Sequence, residues 1–297
     1  MLRARSPRIA LGIVLVLALT GAACDDGDDE PAAASTAPSE SPVESPTAAP
    51  PATPTPATVT QPVRLWLTLE DFTGLTTRQA QVTPPRVATA AVTELLKGPT
   101  QSEISNGWGT AIPAGSQLLG IEVSGGVATV DLSGEFESGG GSLSARMRLA
   151  QLVYTLTEFQ TVQRVKLEID GQPATTFSSE GIVIDGPMTR GEFEDLIAPI
   201  VVETPIAGQR VSSPVRISGT ANVFEATVSM RILGPDNEVI AEDFATATCG
   251  TGCRGDYSKN VAFDVVQETQ GIVQVFESSA KDGSPLHVVS VPVVLVP

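Results

Sequence analysis

Leu118-Leu119-Gly120-Ile121-Glu122-Val123-Ser124-Gly125-Gly126-Val127-Ala128-Thr129-Val130-Asp131-Leu132 is the stretch on which the fold reading rests. Leu119, Ile121 and Val123 alternate with other residues, Gly125-Gly126 can turn, and Ala128, Val130 and Leu132 alternate on the way back. That pattern predicts a β-hairpin. Upstream, Val63–Leu69 alternates around Trp66 and suits a strand. Thr83 is placed to cap a helix with Pro84 in its first turn, where a missing N–H costs nothing. Val87, Ala90, Ala91 and Leu95 then share one helical face, and Lys97-Gly98-Pro99 stops the helix. Downstream, Gly139–Gly141 precedes a second helix with Leu149, Leu152, Val153 and Leu156 on one side. Val165, Leu167 and Ile169 alternate with charged residues in a last strand that Asp170-Gly171 closes. The order strand, helix, hairpin, helix, strand predicts a small α+β domain over residues 62–185, with two helices covering one sheet.

Past Gly186-Pro187 and an acidic patch (Glu192, Glu194, Asp195) the pattern becomes strands alone, so residues 186–198 read as a linker. Within 199–297, alternating apolar segments lie near 215–219, 226–233, 237–244, 259–266, 272–277 and 287–296. Gly234-Pro235-Asp236-Asn237, Gly271 and Asp282-Gly283 separate some of them. Six or seven short strands predict an antiparallel β-sandwich.

The N-terminus reads as an export signal. Arg3, Arg5 and Arg8 precede an apolar run from Ile9 to Leu19, about half the roughly 20 residues a spanning helix needs. Small residues (Gly21, Ala22, Ala23) lead to Cys24. This order resembles a bacterial lipobox, which implies cleavage after residue 23, diacylation of Cys24 and a lipid anchor at the outer face of the cell membrane. Gly21 departs from it, standing where the pattern usually has Leu. An ordinary secretory signal with an incidental cysteine is the alternative. Residues 24–61 read as a disordered tether. Asp25–Glu30 holds five acids in six positions, without the spacing of a calcium loop. From Pro31 to Pro62, 27 of 32 residues are Pro, Ala, Thr or Ser, a composition that cannot offset the entropy of ordering.

Eighteen basic against 34 acidic residues give a net charge of −16, which argues against nucleic acid as a partner. With Cys24 lipidated, Cys249 and Cys253 remain as a pair, expected to be bonded in an oxidising exterior. The two glycines between them let the chain curl enough for that.

Leu95-Leu96-Lys97-Gly98-Pro99, Ile112-Pro113-Ala114-Gly115, Val127–Ser133, Ala150–Thr157 and Ile169-Asp170-Gly171, in that order, resemble the GerM N-terminal (GerMN) domain of sporulation and spore-germination proteins. The resemblance implies a fold related to the ring-building motifs of secretion and sporulation channels. It also implies an envelope lipoprotein, and it brings no catalytic residues. Pro205–Gly208, Ser213-Pro214-Val215, Ser218–Ala221, Val223–Ala226, Arg254-Gly255 with Tyr257, and Asp282-Gly283 resemble the germination-associated (Gmad-type) immunoglobulin-like domain found beside it.

Chemistry-bearing residues are few. His287 is the one histidine; it lies in an apolar strand, and no Gly-x-Ser-x-Gly elbow accompanies it. A zinc site wants four N or S ligands, which the chain does not cluster. Gly139-Gly140-Gly141-Ser142 lacks the lysine of a phosphate loop and reads as a loop before a helix, although its amides suit a small anion. Asp131, Glu135 and Glu137 pose as a glycosidase pair or, more plainly, as a solvated edge. Trp66 in a strand reads as core. Trp108 in Asn106-Gly107-Trp108-Gly109 reads as a loop residue and is the candidate ligand contact, a ring that could stack on sugar. Arg254-Gly255-Asp256 spells an adhesion tripeptide. The expectation is a non-catalytic envelope lipoprotein that assembles with an envelope protein and needs no cofactor or metal. The alternative is a peptidoglycan- or glycan-binding module using Trp108, with a hydrolase third.

Overall fold

The computed structural model describes residues 59–297. The signal segment, Cys24 and nearly all of the tether lie outside the described residues. The rest forms an α+β domain followed by an all-β sandwich.

The first domain runs β1 (Gln61–Leu69), β2 (Leu75–Val82), α1 (Val87–Leu96), α2 (Gln101–Ser105), β3 (Trp108–Gly109), β4 (Leu118–Ser124) and β5 (Val127–Leu132). It continues with α3 (Ser142–Leu156), β6 (Arg164–Ile169), β7 (Gln172–Pro173), β8 (Thr176–Phe177) and β9 (Ile182–Val183). Its strands divide between two main sheets, β2-β1-β3 and β4-β5-β6-β7, rather than forming one. The expected hairpin is β4–β5, with Ile121 opposite Val130, and β6 joins β5 in parallel. The added strand β2 carries Thr76 and Thr77 at buried positions, so its sequence lacks an apolar stripe. The first helix begins at Val87, not at Thr83, and Thr83 caps nothing. Pro84 and Pro85 stand in succession, and a residue before proline is driven out of the helical region; Arg86 becomes the N-cap, without a side-chain bond. The short helix α2 has a capping box that a sequence reading can find. Thr100 Oγ1 accepts from the Glu103 N–H, and the Glu103 carboxylate accepts from the Thr100 N–H.

The helix α3 is more deeply set than an amphipathic surface helix. From Ala145 to Leu156 every residue but Arg146 is buried. Arg148, Gln151 and Thr155, spaced by three and four, make a polar stripe on it. Gln151 Nε2 donates to the Trp66 carbonyl (3.0 Å), and its Oε1 accepts from the Ala111 N–H (2.8 Å). Thr155 Oγ1 accepts from the Trp66 N–H (3.0 Å). Arg148 donates to the carbonyls of Ala111, Phe136 and Gly139. Burial draws its guanidinium below the ordinary value, and the charge of Glu137 opposes that.

The sandwich holds β10 (Ile200–Thr204), β11 (Arg210–Ser212), β12 (Val215–Ala221), β13 (Thr227–Leu233), β14 (Val239–Thr246), β15 (Gly255–Val261), β16 (Thr269–Ser278) and β17 (Pro285–Val296). The sheets are β10-β12-β15 and β11-β17-β16-β13-β14. Val228, Met230 and Ile232 of β13 and Val289, Val291 and Val293 of β17 line the inner face of the five-stranded sheet, at 1% exposure or less.

Residues 186–198 form a packed strap. Met188, Phe193 and Leu196 are buried. The Arg190 guanidinium lies over the Tyr154 ring at 4.8 Å and donates to Glu158 (2.6 Å), which also accepts from the Trp66 indole (3.0 Å). Arg146 holds Asp195 at 2.9 Å. That hydrogen bond is the main reason why the Asp195 carboxyl sits below its ordinary 3.8.

Two outcomes test this account. Gln151→Leu leaves the Ala111 N–H and the Trp66 carbonyl buried without partners, so it should cost about 2–4 kcal/mol in denaturant unfolding; a loss under about 1 kcal/mol would refute the stripe's role. Asp195 has a depressed folded pKa, so its contribution is present above pH 3.8 and lost as pH falls through the lower folded value. Asp195→Asn should therefore show a smaller drop in Tm between about pH 5 and about pH 3 than the natural chain. Equal drops would count against the Arg146–Asp195 tie.

Candidate functional site

Trp108 is the residue that the structure moves furthest from expectation. It is 4% exposed, and its indole N–H donates to the Ser290 carbonyl of β17 at 2.8 Å. The ring seals the seam between the two domains and offers no face to a sugar. The correction has a physical cause: Asn106-Gly107 does make a turn, with Gly107 at φ 81°, but the second domain covers the indole that the turn presents.

Other bonds cross the same seam. Thr77 Oγ1 donates to the Val202 carbonyl (3.0 Å), Arg64 pairs with Glu203 (2.9 Å), and the Ala198 N–H donates to the Leu75 carbonyl (3.0 Å). Gly74 passes so near Ala198 that a Cβ would come within 2.4 Å of its Cα. Beside the seam, the Arg78 guanidinium donates to the Gly98 and Glu94 carbonyls and pairs with Glu103 at 3.3 Å. This closes the last turn of α1 onto α2.

The acidic residues after the hairpin are held locally. Asp131 accepts from the Gly171 N–H (2.9 Å), and Glu137 accepts from the Ser178 N–H (3.3 Å). The exposed Glu135 carboxyl is held below its usual range, first by a hydrogen bond with Ser133. A general acid needs the opposite shift. His287 is exposed, and its Nε2 lies 3.7 Å from Glu277. Gly139 and Gly140 take left-handed φ, and Arg148 holds the Gly139 carbonyl. Arg254 is turned inward to the Ala198 carbonyl (2.6 Å), so the adhesion tripeptide is not presented as a loop. Cys249 and Cys253 are joined, with Cα atoms 5.7 Å apart. Among the described residues, no cluster of three metal-ligating side chains occurs.

Sequence reasoning misses the outer strand of the hairpin as a surface. β4 is the end strand of its sheet, and it leaves Leu119 52% and Val123 40% exposed. The pairing slips between Leu118 and Gly120, so Leu119 is an extra residue in a bulge. Exposed apolar residues on an edge strand are a template for another chain unless something guards them. The signal is present in Leu119-Ile121-Val123, which reads as a core-facing row until the bulge is seen.

The Trp108 assignment is checked by fluorescence. In a Trp66→Phe protein, Trp108 emission should be shielded from acrylamide, and peptidoglycan fragments should leave it unchanged. Quenching as free as that of an exposed indole would reverse the correction.

Residues 57–175 match the family model for sporulation and spore germination (Germane), and residues 199–284 match that for the immunoglobulin-like domain of bacterial spore germination. No curated protein matches the chain. Among solved structures, the tandem GerMN domains of the sporulation protein GerM from Bacillus subtilis align at 16% identity over 80% of this chain and 61% of theirs, with a TM-score of 0.41. The chain thus spans about three fifths of the length of that relative. The first GerMN domain of the same protein aligns at 23% identity over 43% of this chain and 98% of its own, with a TM-score of 0.38. A putative lipoprotein from Clostridium perfringens aligns at 15% identity over 46% and 93%, with a TM-score of 0.33. With both family models matched in this order along one chain, the protein carries a GerMN-type domain followed by a C-terminal Gmad-type immunoglobulin-like domain.

Proposed function

We propose that this chain is a non-catalytic lipoprotein of the cell envelope, anchored through diacylated Cys24 at the outer face of the membrane, that docks on another envelope protein through its GerMN domain. The observation that carries the proposal is β4, an end strand with Leu119 and Val123 exposed. An extended segment of a partner adds to such an edge through main-chain hydrogen bonds, and the apolar side chains supply contact area. The net charge of −16 favours a partner with a basic face, whose encounter weakens as salt rises. The family models describe sporulation and spore germination, which supports an assembly role in the envelope. A glycan-binding reading loses its main support with Trp108 buried. The hydrolase reading gains no general acid from Glu135, whose carboxyl is shifted the other way.

A photo-crosslinking residue at Glu122 of β4, in full-length protein in native membranes, should trap one discrete partner. Leu119→Lys with Val123→Lys should lower recovery of that partner about tenfold, the scale of a lost interface hot spot. Recovery unchanged by both lysines would overturn the docking edge. Cys24→Ala should move the protein out of the detergent phase; retention there would place the anchor elsewhere. The purified protein should release nothing from peptidoglycan, and release that Asp131→Asn or Glu135→Gln abolishes would make it an enzyme.

A further inference from the structure

The loop Cys249-Gly250-Thr251-Gly252-Cys253 is coupled, contact by contact, to the peptide where the two domains meet. The Thr251 N–H donates to the Val223 carbonyl (2.9 Å) and the Gly252 N–H to Asn222 Oδ1 (3.0 Å), while Thr251 Oγ1 accepts from the Glu225 N–H (3.1 Å). Asn222 then donates its own N–H to the Pro199 carbonyl (2.8 Å). On the other side of the loop, Arg254 follows Cys253 directly. Its guanidinium reaches the Ala198 carbonyl (2.6 Å) and Thr220 Oγ1 (3.2 Å). Ala198 therefore gives its N–H to Leu75 of the first domain and its C=O to Arg254 of the second.

The loop and the turn beneath it are strained. Glu225 (φ 53°), Ala226 (φ 57°) and Thr251 (φ 48°) all occupy the left-handed region without being glycine. Such residues persist where the surrounding structure over-determines them. The fit is also tight: a Cβ on Gly250 would fall 2.4 Å from the Ala226 nitrogen, and one on Gly255 2.1 Å from the Cys249 nitrogen. The bond between Cys249 and Cys253 closes this small strained unit covalently, beside the hydrogen bonds that hold it.

We propose that the Cys249–Cys253 disulfide is a redox-sensitive clamp on the domain junction, which when reduced lets the Arg254–Ala198 and Asn222–Pro199 contacts open while both domains stay folded. The reductant is a dithiol. One of its thiolates attacks a sulfur of the bond to form a mixed disulfide. Its second thiol displaces the protein sulfur and closes a disulfide in the reductant. Two electrons and two protons pass to the protein, leaving Cys249 and Cys253 as thiols. Both cysteines are half-buried, not enclosed, so a small dithiol has access.

Hydrogen exchange by mass spectrometry on the full chain, with and without dithiothreitol, tests this. On reduction, peptides covering 72–78 and 196–202 should exchange about tenfold faster, the scale of one lost hydrogen bond to a charged group, while peptides from α3, β13 and β16 keep their protection. The Cys249→Ser/Cys253→Ser protein should behave like the reduced one. Arg254→Met should loosen the same peptides with the disulfide intact, and reduction should then add little. Three results overturn the proposal: thiols that alkylate before reduction, junction peptides that do not respond when both thiols are free, or protection lost across the whole sandwich, which would make the bond a general staple.

Discussion

A strand edge buried inside a protein must find partners for its N–H and C=O groups, and this molecule meets that demand with a helix. β1 pairs with β2 from Gln61 to Thr68, but its other edge meets β3 only at Thr68 and Leu69. At Trp66 that edge faces α3, where Thr155 takes the N–H and Gln151 takes the carbonyl. The stripe of Arg148, Gln151 and Thr155 thus does for one residue what a neighbouring strand would do. Arg148 extends it to three further carbonyls, with the rings of Phe136 and Phe177 about its guanidinium at 5.9 and 5.8 Å. Partly satisfied networks of this kind destabilise a core, and fully satisfied ones specify it. Through these bonds the helix ties down the loop at Ala111 and the turn at Phe136–Gly139.

The same helix governs the joint between the domains. Its last turn presents Tyr154 and the turn after it Glu158, which seat Arg190 of the strap and the indole of Trp66. From there the chain enters β10 directly, and Val202 and Glu203 bond to β2 and β1 of the first domain. The two modules therefore share buried surface, and one side of β1 and β2 is closed by the sandwich. On the proposed docking role, such a joint has a functional consequence. The edge at β4 keeps a defined orientation to the sandwich, so a partner that meets both surfaces avoids the entropic cost of ordering them.

Elements whose side chains follow a clean period are legible in the sequence. The hairpin of β4 and β5, the apolar face of α3 and the strand β6 are period-two or helical patterns, and most of the sandwich strands likewise alternate. β2 escapes because Thr76 and Thr77 are buried by neighbours that lie far along the chain, so polarity and burial part company there. The start of α1 is misread because a favourable cap at Thr83 competes with two successive prolines, and the prolines win. Trp108 cannot be read at all: its local sequence makes a turn, and its burial is a property of a domain that begins about 90 residues later. The bulge at Leu119 is equally non-local, since a register slip is defined only by the partner strand.

Arg254-Gly255-Asp256 carries the argument about motifs to its limit. Two of its three letters have a local physical cause here. Arginine is needed for a planar guanidinium that reaches both the Ala198 carbonyl and Thr220. Glycine is needed because any Cβ would collide with the Cys249 backbone. The aspartate lies in β15, where its backbone N–H bonds Thr248 Oγ1 and its side chain is exposed. The arginine and glycine are thus set by a domain junction and a disulfide loop, and the aspartate that completes the tripeptide is an exposed residue of a strand. A surface that recognises a partner has to be sought where such demands are absent, and β4 is such a place: Leu119 and Val123 remain exposed at the end of their sheet.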